Sequence, residues 1–216
     1  MASNRSAEEF AMREAIAAWG RKRWPGARLV HELVVAQECR VDMAFIGADS
    51  ITGIEIKSSR DTLDRLENQA RVFRAHLPSV IVAVAPKWTE DGYFNHGFRL
   101  DGWVCCDENQ VIATGVIGEP RRQVTAPMLD LLWASELRAI AARTRVSTDP
   151  RRPGYRIIPD LARMLTGDEI VREVCRELRA RDAFPKTAGH PASDPPISFD
   201  MIRADIDAPP KEGRDG

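Results

Sequence analysis

No stretch of these 216 residues approaches the run of about eighteen apolar residues that a membrane-spanning helix requires. The opening residues Met1-Ala2-Ser3-Asn4-Arg5 run into Glu8-Glu9 without an apolar core, so they do not read as a secretory leader, and a cytoplasmic location is expected. Cys39, Cys105, Cys106 and Cys175 contain no C-x-x-C spacing, and the adjacent pair would point to opposite faces of a strand. That argues against a zinc site, a disulfide framework and an iron–sulfur cluster. The four histidines are scattered, none paired at ligand spacing. There is no glycine-rich phosphate loop and no nucleophile elbow, which removes the common nucleotide-binding and hydrolase signatures. The net charge of −1 excludes a strongly basic nucleic-acid binder. The acidic excess sits in the tail from Phe184 onward, however, and basic clusters remain at Arg21-Lys22-Arg23, Arg121-Arg122 and Arg143 through Arg152. Such clusters suit modest, salt-dependent contact with a phosphate backbone, or a solvated face.

What is present is concentrated in two short apolar runs. Val41 to Ile46 is rich in strand formers and follows Arg40; Ile51 to Ile56 alternates apolar and polar residues and ends in Glu55-Ile56-Lys57-Ser58. Side chains alternate faces along a strand, so Glu55 and Lys57 share one face and Ile54 and Ile56 the other. If the two strands pair, Asp42 can join that polar face. Two carboxylates and an amine brought together suit a hard divalent cation and a developing phosphate charge. By itself an E-x-K triplet is a weak signal, since half-exposed strands often alternate this way.

The surroundings strengthen it. Ser6 to Arg21 reads as an amphipathic helix with Phe10, Met12, Ala15, Ile16 and Trp19, and Arg28 to Val35 as a strand containing Glu32. After the triplet, Ser58 to Asp61 offers N-cap candidates for a helix over 62–75, whose apolar stripe is Leu63, Leu66, Ala70, Phe73 and Leu77. Arg65 and Gln69 lie four apart on a neighbouring face, toward the active end of the sheet or simply toward solvent. Pro78 stops this helix, and Val80 to Val84 is a buried-strand run.

This order of elements, with Asp42 and Glu55-Ile56-Lys57, resembles the PD-(D/E)XK nuclease superfamily, which includes restriction enzymes, Holliday-junction resolvases and RecB-type nuclease domains. The resemblance implies an α/β fold with a restriction-endonuclease-like α-β-β-β-α-β core and a mixed central sheet. It implies a Mg²⁺- or Mn²⁺-dependent DNA nuclease, with Asp42, Glu55 and the Ile56 main chain as metal ligands, and Lys57 as catalytic base or charge stabiliser. Gln69 followed by Phe73 is similar to the Gln-x-x-x-Tyr element of RecB-type members, with a hydroxyl missing, and places Gln69 among the catalytic residues. Glu32 is a third metal ligand or a solvent-facing residue, and Arg40, Ser58 and Arg65 are the candidates for DNA contact. A helix-one glutamate (Glu8, Glu9 or Glu14) serves the site in resolvase-like relatives or forms a solvated face. Relatives of these kinds often act as homodimers. The alternative expectation is a catalytically silent module of the same fold that binds nucleic acid or protein.

Beyond residue 125 the chain is expected to be helical. Ala126 to Arg143 carries Leu129, Leu132, Trp133, Leu137 and Ile140 at helical spacing; Ile158 to Leu165 and the segment from Gly167 to Asp182 read as further helices. Between core and helices, Lys87 to Leu100 is an aromatic loop, and 102–106 with 110–115 a hairpin turned at 107–109. Leu131-Leu132-Trp133 and Glu136-Leu137, with Asp61-Thr62-Leu63 after the triplet, resemble a family of uncharacterised bacterial and phage-borne proteins over roughly residues 8 to 183. The expected organisation is a nuclease-like core over 1–125, a helical appendage over 126–183 and a disordered tail over 184–216. The tail is rich in Pro, Asp, Ala and Gly and poor in apolar residues that could offset its ordering entropy.

Overall fold

The computed structural model describes residues 7–36, 39–89, 94, 97–107, 109–121, 126–149, 151–182, 184 and 193–196. Helix α1 (Ala7–Arg23) is followed by β1 (Arg28–Ala36), β2 (Cys39–Ile46) and β3 (Ile51–Lys57), then α2 (Leu66–His76) and β4 (Ser79–Val84). A single 3₁₀ turn (Pro86–Trp88) leads to β5 (Gly102–Cys106) and β6 (Val111–Thr114), and four helices close the order: α3 (Ala126–Leu129), α4 (Ala134–Arg143), α5 (Gly154–Met164) and α6 (Gly167–Ala180). All six strands form one mixed sheet in sequence order. β1, β2 and β3 run antiparallel, β3, β4 and β5 parallel, and β6 antiparallel to β5. The protein is thus α/β, as the alternation of strand and helix patterns requires. No helix among the described residues is long and apolar enough to cross a membrane.

Every residue of β3 and β4 is buried, because helices cover both faces of the sheet there. On one face α1 lays Met12, Ile16 and Ala17 against Met43, Phe45, Ile54 and Ile56. The helix comes close because residue 20 is glycine: a Cβ there would stand 2.1 Å from the Phe45 ring. On the other face Phe73 and Leu77 of α2 join Val30, Leu33 and Val41, and the same cluster takes in Leu132, Leu137, Ile157 and Leu178. The C-terminal helices therefore bury their apolar residues in the cluster that covers the sheet.

Several sequence expectations are displaced. Phe10 is 47% exposed, and the inward stripe of α1 instead includes a charged residue, Arg13. The helix after the triplet begins at Leu66 rather than Thr62, because the Asp61 carboxylate turns back to accept from Ser58 N and Oγ. The long helix over 126–143 is two helices; Glu136 accepts from Trp133 N at the start of the second. Trp133 is 52% exposed rather than core, its ring 4.3 Å from the Arg181 guanidinium. The third helix of that region starts four residues early, at Gly154. In the aromatic loop, Phe94 is buried against Phe98 and Trp103, whereas Tyr93 lies outside the described residues. Within the segment expected to lack order, Asp194 N donates to Leu29 O, Leu29 N to Asp194 Oδ2, and His31 N to Ser193 Oγ, along the outer edge of β1. The rest of that segment beyond Phe184, including the motif over 197–206, lies outside the described residues.

Candidate functional site

The C-terminal end of β3 carries the first half of the site. Glu55 and Lys57 project to the α2 side, as period-two alternation demands. Lys57 Nζ donates to Glu55 Oε1 at 2.9 Å and to Gln69 Oε1 at 2.9 Å, and Gln69 Nε2 donates to Glu55 Oε1 at 2.6 Å. Gln69 is thus fastened to the triplet from α2. Glu55 and Lys57 are each only 4% exposed. Glu55 Oε1 takes both donors, while Glu55 Oε2 is buried and has no hydrogen-bond partner among the described residues. Burial, then the neighbouring Asp42 charge, pushes the Glu55 carboxyl up to about 8 from 4.5, with Lys57 and Gln69 offsetting part of the effect.

The second half is built on the β1–β2 pair. The register places Leu33 opposite Val41 and His31 opposite Met43, so Glu32 and Asp42 face each other between them. Glu32 has φ = 56°, a left-handed conformation that a non-glycine residue seldom adopts. The irregularity resets the strand: Val30, Leu33 and Val35 share one core cluster, which simple alternation would not allow. β2 undergoes the matching change, with Val41 in that cluster and Met43 in the opposite one. Asp42 therefore sits where both strands change phase. Its Oδ2 accepts from Ile56 N at 2.8 Å, just past the last β2–β3 pair, Met43 with Ile54.

Arg13 joins these parts from α1. Its Nη2 lies 3.0 Å from Glu9 Oε1, 3.0 Å from Glu32 Oε1 and 2.8 Å from Asp42 Oδ1, and its Nη1 donates to Asp42 O at 2.7 Å. The side chain is 1% exposed. Sequence reasoning missed it, although an arginine among Met12, Ile16 and Ala17 on a buried stripe needs partners. Of the helix-one glutamates, Glu9 meets Arg13, and Glu8 accepts from Ser59 N and Oγ, which fixes the loop after the triplet. Trp88 Nε1 donates to Ser58 O from the other side.

The expected residues thus divide. Asp42, Glu55, Lys57 and Gln69 gather at the β2–β3 end, with Glu32 linked through Arg13. Ser58 is buried and held by Asp61, whereas Arg40 and Arg65 are exposed at the periphery. Among the described residues no three His, Cys, Asp or Glu side chains form a group that could hold a metal ion. Asp42, Glu55 and Glu32 are accordingly not a ready-made three-carboxylate cage. The carboxylates that do converge on one point converge on a guanidinium.

An α/β protein with a six-stranded mixed sheet and a buried Glu–Lys–Gln cluster at the end of β3 is the class these observations define. The chain belongs to the bacteriophage P4 protein cII family, whose model matches residues 2–181. A 65-residue stretch is 38% identical to protein cII of Enterobacteria phage P4, covering 30% of this chain and 25% of that protein. The matched stretch therefore spans only a quarter of that relative's length. A solved structure, a protein of unknown function from Silicibacter pomeroyi, superposes with a TM-score of 0.44 at 19% identity, over 65% of this chain and 94% of that one.

Proposed function

We propose that this protein is a metal-dependent DNA nuclease with a restriction-endonuclease-like core, acting in repair, recombination or phage-related DNA processing. The order helix, three strands, helix, strand supports this, as does the antiparallel, antiparallel, parallel arrangement of β1 to β4. So does the position of Glu55 and Lys57 at the carboxyl end of a parallel strand, where open α/β sheets place their ligands.

The observation that carries the reading is that Glu55 Oε2, buried beside Asp42, has no hydrogen-bond partner among the described residues. A buried carboxylate oxygen without a donor is costly unless it is protonated or meets a cation. The donor set is all oxygen, which suits Mg²⁺ or Mn²⁺, and Mg²⁺ is commonly held by only one or two carboxylates, with water and substrate phosphate completing its shell. Asp42, Glu55 and the Ile56 carbonyl would hold the ion. When bound, it supplies an activated water and neutralises charge on the scissile phosphate. Lys57, pinned by Glu55 and Gln69, presents its positive charge at the same place. Gln69 orients both, and Ile56 N keeps the Asp42 carboxylate turned toward β3.

DNA is the partner this reading requires, with the basic clusters as phosphate contacts, and a homodimer would let two sites cut two strands. A cytoplasmic location goes with it. The 4% exposure of Glu55 and Lys57 favours the second reading, a silent nuclease-fold module, because a phosphodiester cannot reach them without movement. Incubation of the purified protein with supercoiled, linear and branched DNA, with Mg²⁺, Mn²⁺ or EDTA, decides between the two. Cleavage that requires metal and disappears in Glu55→Gln supports the nuclease; metal-independent binding without cleavage supports the module.

A further inference from the structure

We propose that the Arg13 guanidinium takes the place of a second cation, so that the site accepts a single divalent ion, between Asp42 and Glu55. The inference rests on the metal-dependent reading above and deepens it. Phosphodiester-cleaving sites with two ions need carboxylates that bridge or surround both. Here the carboxylates that could serve a second ion, Glu9 and Glu32 with Asp42 Oδ1, all turn toward Arg13 Nη2, at 2.8–3.0 Å. An ion bound to the same oxygens at about 2.0–2.1 Å would collide with that nitrogen.

Nor can Arg13 readily step aside. A guanidinium does not give up its proton, and this one is 1% exposed and fixed by a second nitrogen on the Asp42 carbonyl. Moving it would strand a buried charge. Among the described residues each Asp42 carboxylate oxygen accepts one hydrogen bond, from Arg13 or from Ile56 N, and so retains a lone pair for an ion.

The test is a count of bound Mn²⁺ on the full chain, by calorimetric titration and by electron paramagnetic resonance of free ion. The wild type should bind one ion per chain. Arg13→Gln should bind two, with the second lost again when Glu9 and Glu32 are also changed to Gln. Arg13→Lys, which keeps the positive charge, should bind one, and serves if Arg13→Gln does not fold. Two ions in the wild type or in Arg13→Lys would overturn the inference and leave the metal-dependent reading standing. No ion in the wild type would instead overturn that reading, and the inference with it. One ion in a folded Arg13→Gln protein would show that Arg13 only braces the carboxylates.

Discussion

The Asp42 side chain stands in for backbone at the point where β2 leaves β3: its Oδ2 accepts from Ile56 N at 2.8 Å, while Oδ1 accepts from Arg13. One carboxylate thereby ties α1, β2 and β3 together at the site. Considered only as one of several clustered acids, Asp42 would be expected to be neutral or slightly stabilising to remove, since like charges repel. The two hydrogen bonds that the Asp42 carboxylate accepts argue for the opposite sign. Asn cannot accept from two donors on opposite sides without turning its own NH₂ toward one of them. Asp42→Asn should lower stability by about 1–3 kcal/mol, read as a fall in urea midpoint at unchanged slope. An unchanged midpoint would mean that Arg13 and Ile56 find other partners.

Glu55 behaves in the opposite sense. Its carboxyl is raised from 4.5 to about 8, so between those limits the folded protein holds a proton that the unfolded chain has released. Folding stability in the absence of metal should therefore fall as pH rises from about 4.5 to about 8, then level off with respect to this group. Glu55→Gln should flatten that slope and melt higher than wild type at pH 8 in EDTA. Because Mg²⁺ binds the ionised form, it should raise the wild-type melting temperature more at pH 8 than at pH 6 and do little for the variant. A parallel pH dependence in wild type and Glu55→Gln would remove Glu55 as its source.

Arg28 joins the sheet to the last helix. Its Nη1 lies within hydrogen-bonding distance of the carbonyls of Leu178, Arg179 and Arg181 at the end of α6, and its guanidinium lies 5.0 Å from the Phe184 ring centroid. A cation at a helix C-terminus satisfies both unpaired carbonyls and the helix dipole. Arg28→Ala should cost about 2–3 kcal/mol, seen as a lower melting temperature with faster amide exchange over 170–181. Exchange confined to β1 would contradict the assignment.

The helices after residue 125 share one apolar cluster with the sheet, Leu132, Leu137, Ile157 and Leu178 against Val30, Leu33 and Val41. A fragment ending at residue 125 should expose that face and aggregate. A fragment ending at 183 should stay soluble and melt cooperatively, losing among the described contacts those of Phe184 with Arg28 and Arg181 and those of Ser193 and Asp194 with α1 and β1. A soluble, cooperatively melting 1–125 fragment would show that the helices form a separate module.

The sequence disclosed the parts that depend on short-range periodicity. Alternation over 51–57 placed Glu55 with Lys57, because the two are two residues apart in one strand; helical spacing left Gln69 open between the sheet and solvent, and only the resemblance to the Gln-x-x-x-Tyr element pointed it to the site. For Arg13 the sequence offered only the hint that an arginine on a buried stripe needs partners, not which ones. That role depends on how closely α1 approaches the sheet, which is set by Gly20 against Phe45, and on the phase change at Glu32. Nor could it separate Trp133 from its apolar neighbours, since helical spacing does not reveal that the chain breaks at 130–133 and that Arg181 offers the ring a cation. Long-range geometry decided both.

The most direct measurement is conversion of supercoiled plasmid to nicked or linear DNA by the full chain in Mg²⁺ or Mn²⁺, alongside Glu55→Gln and Lys57→Ala purified identically. Cleavage by the wild type that stops in EDTA, is abolished in Glu55→Gln, and is lost in Lys57→Ala while Mn²⁺ still binds is the predicted result. Equal cleavage by all three proteins, or metal-bound wild type that leaves every DNA form intact, would contradict a nuclease site built on Asp42, Glu55 and Lys57.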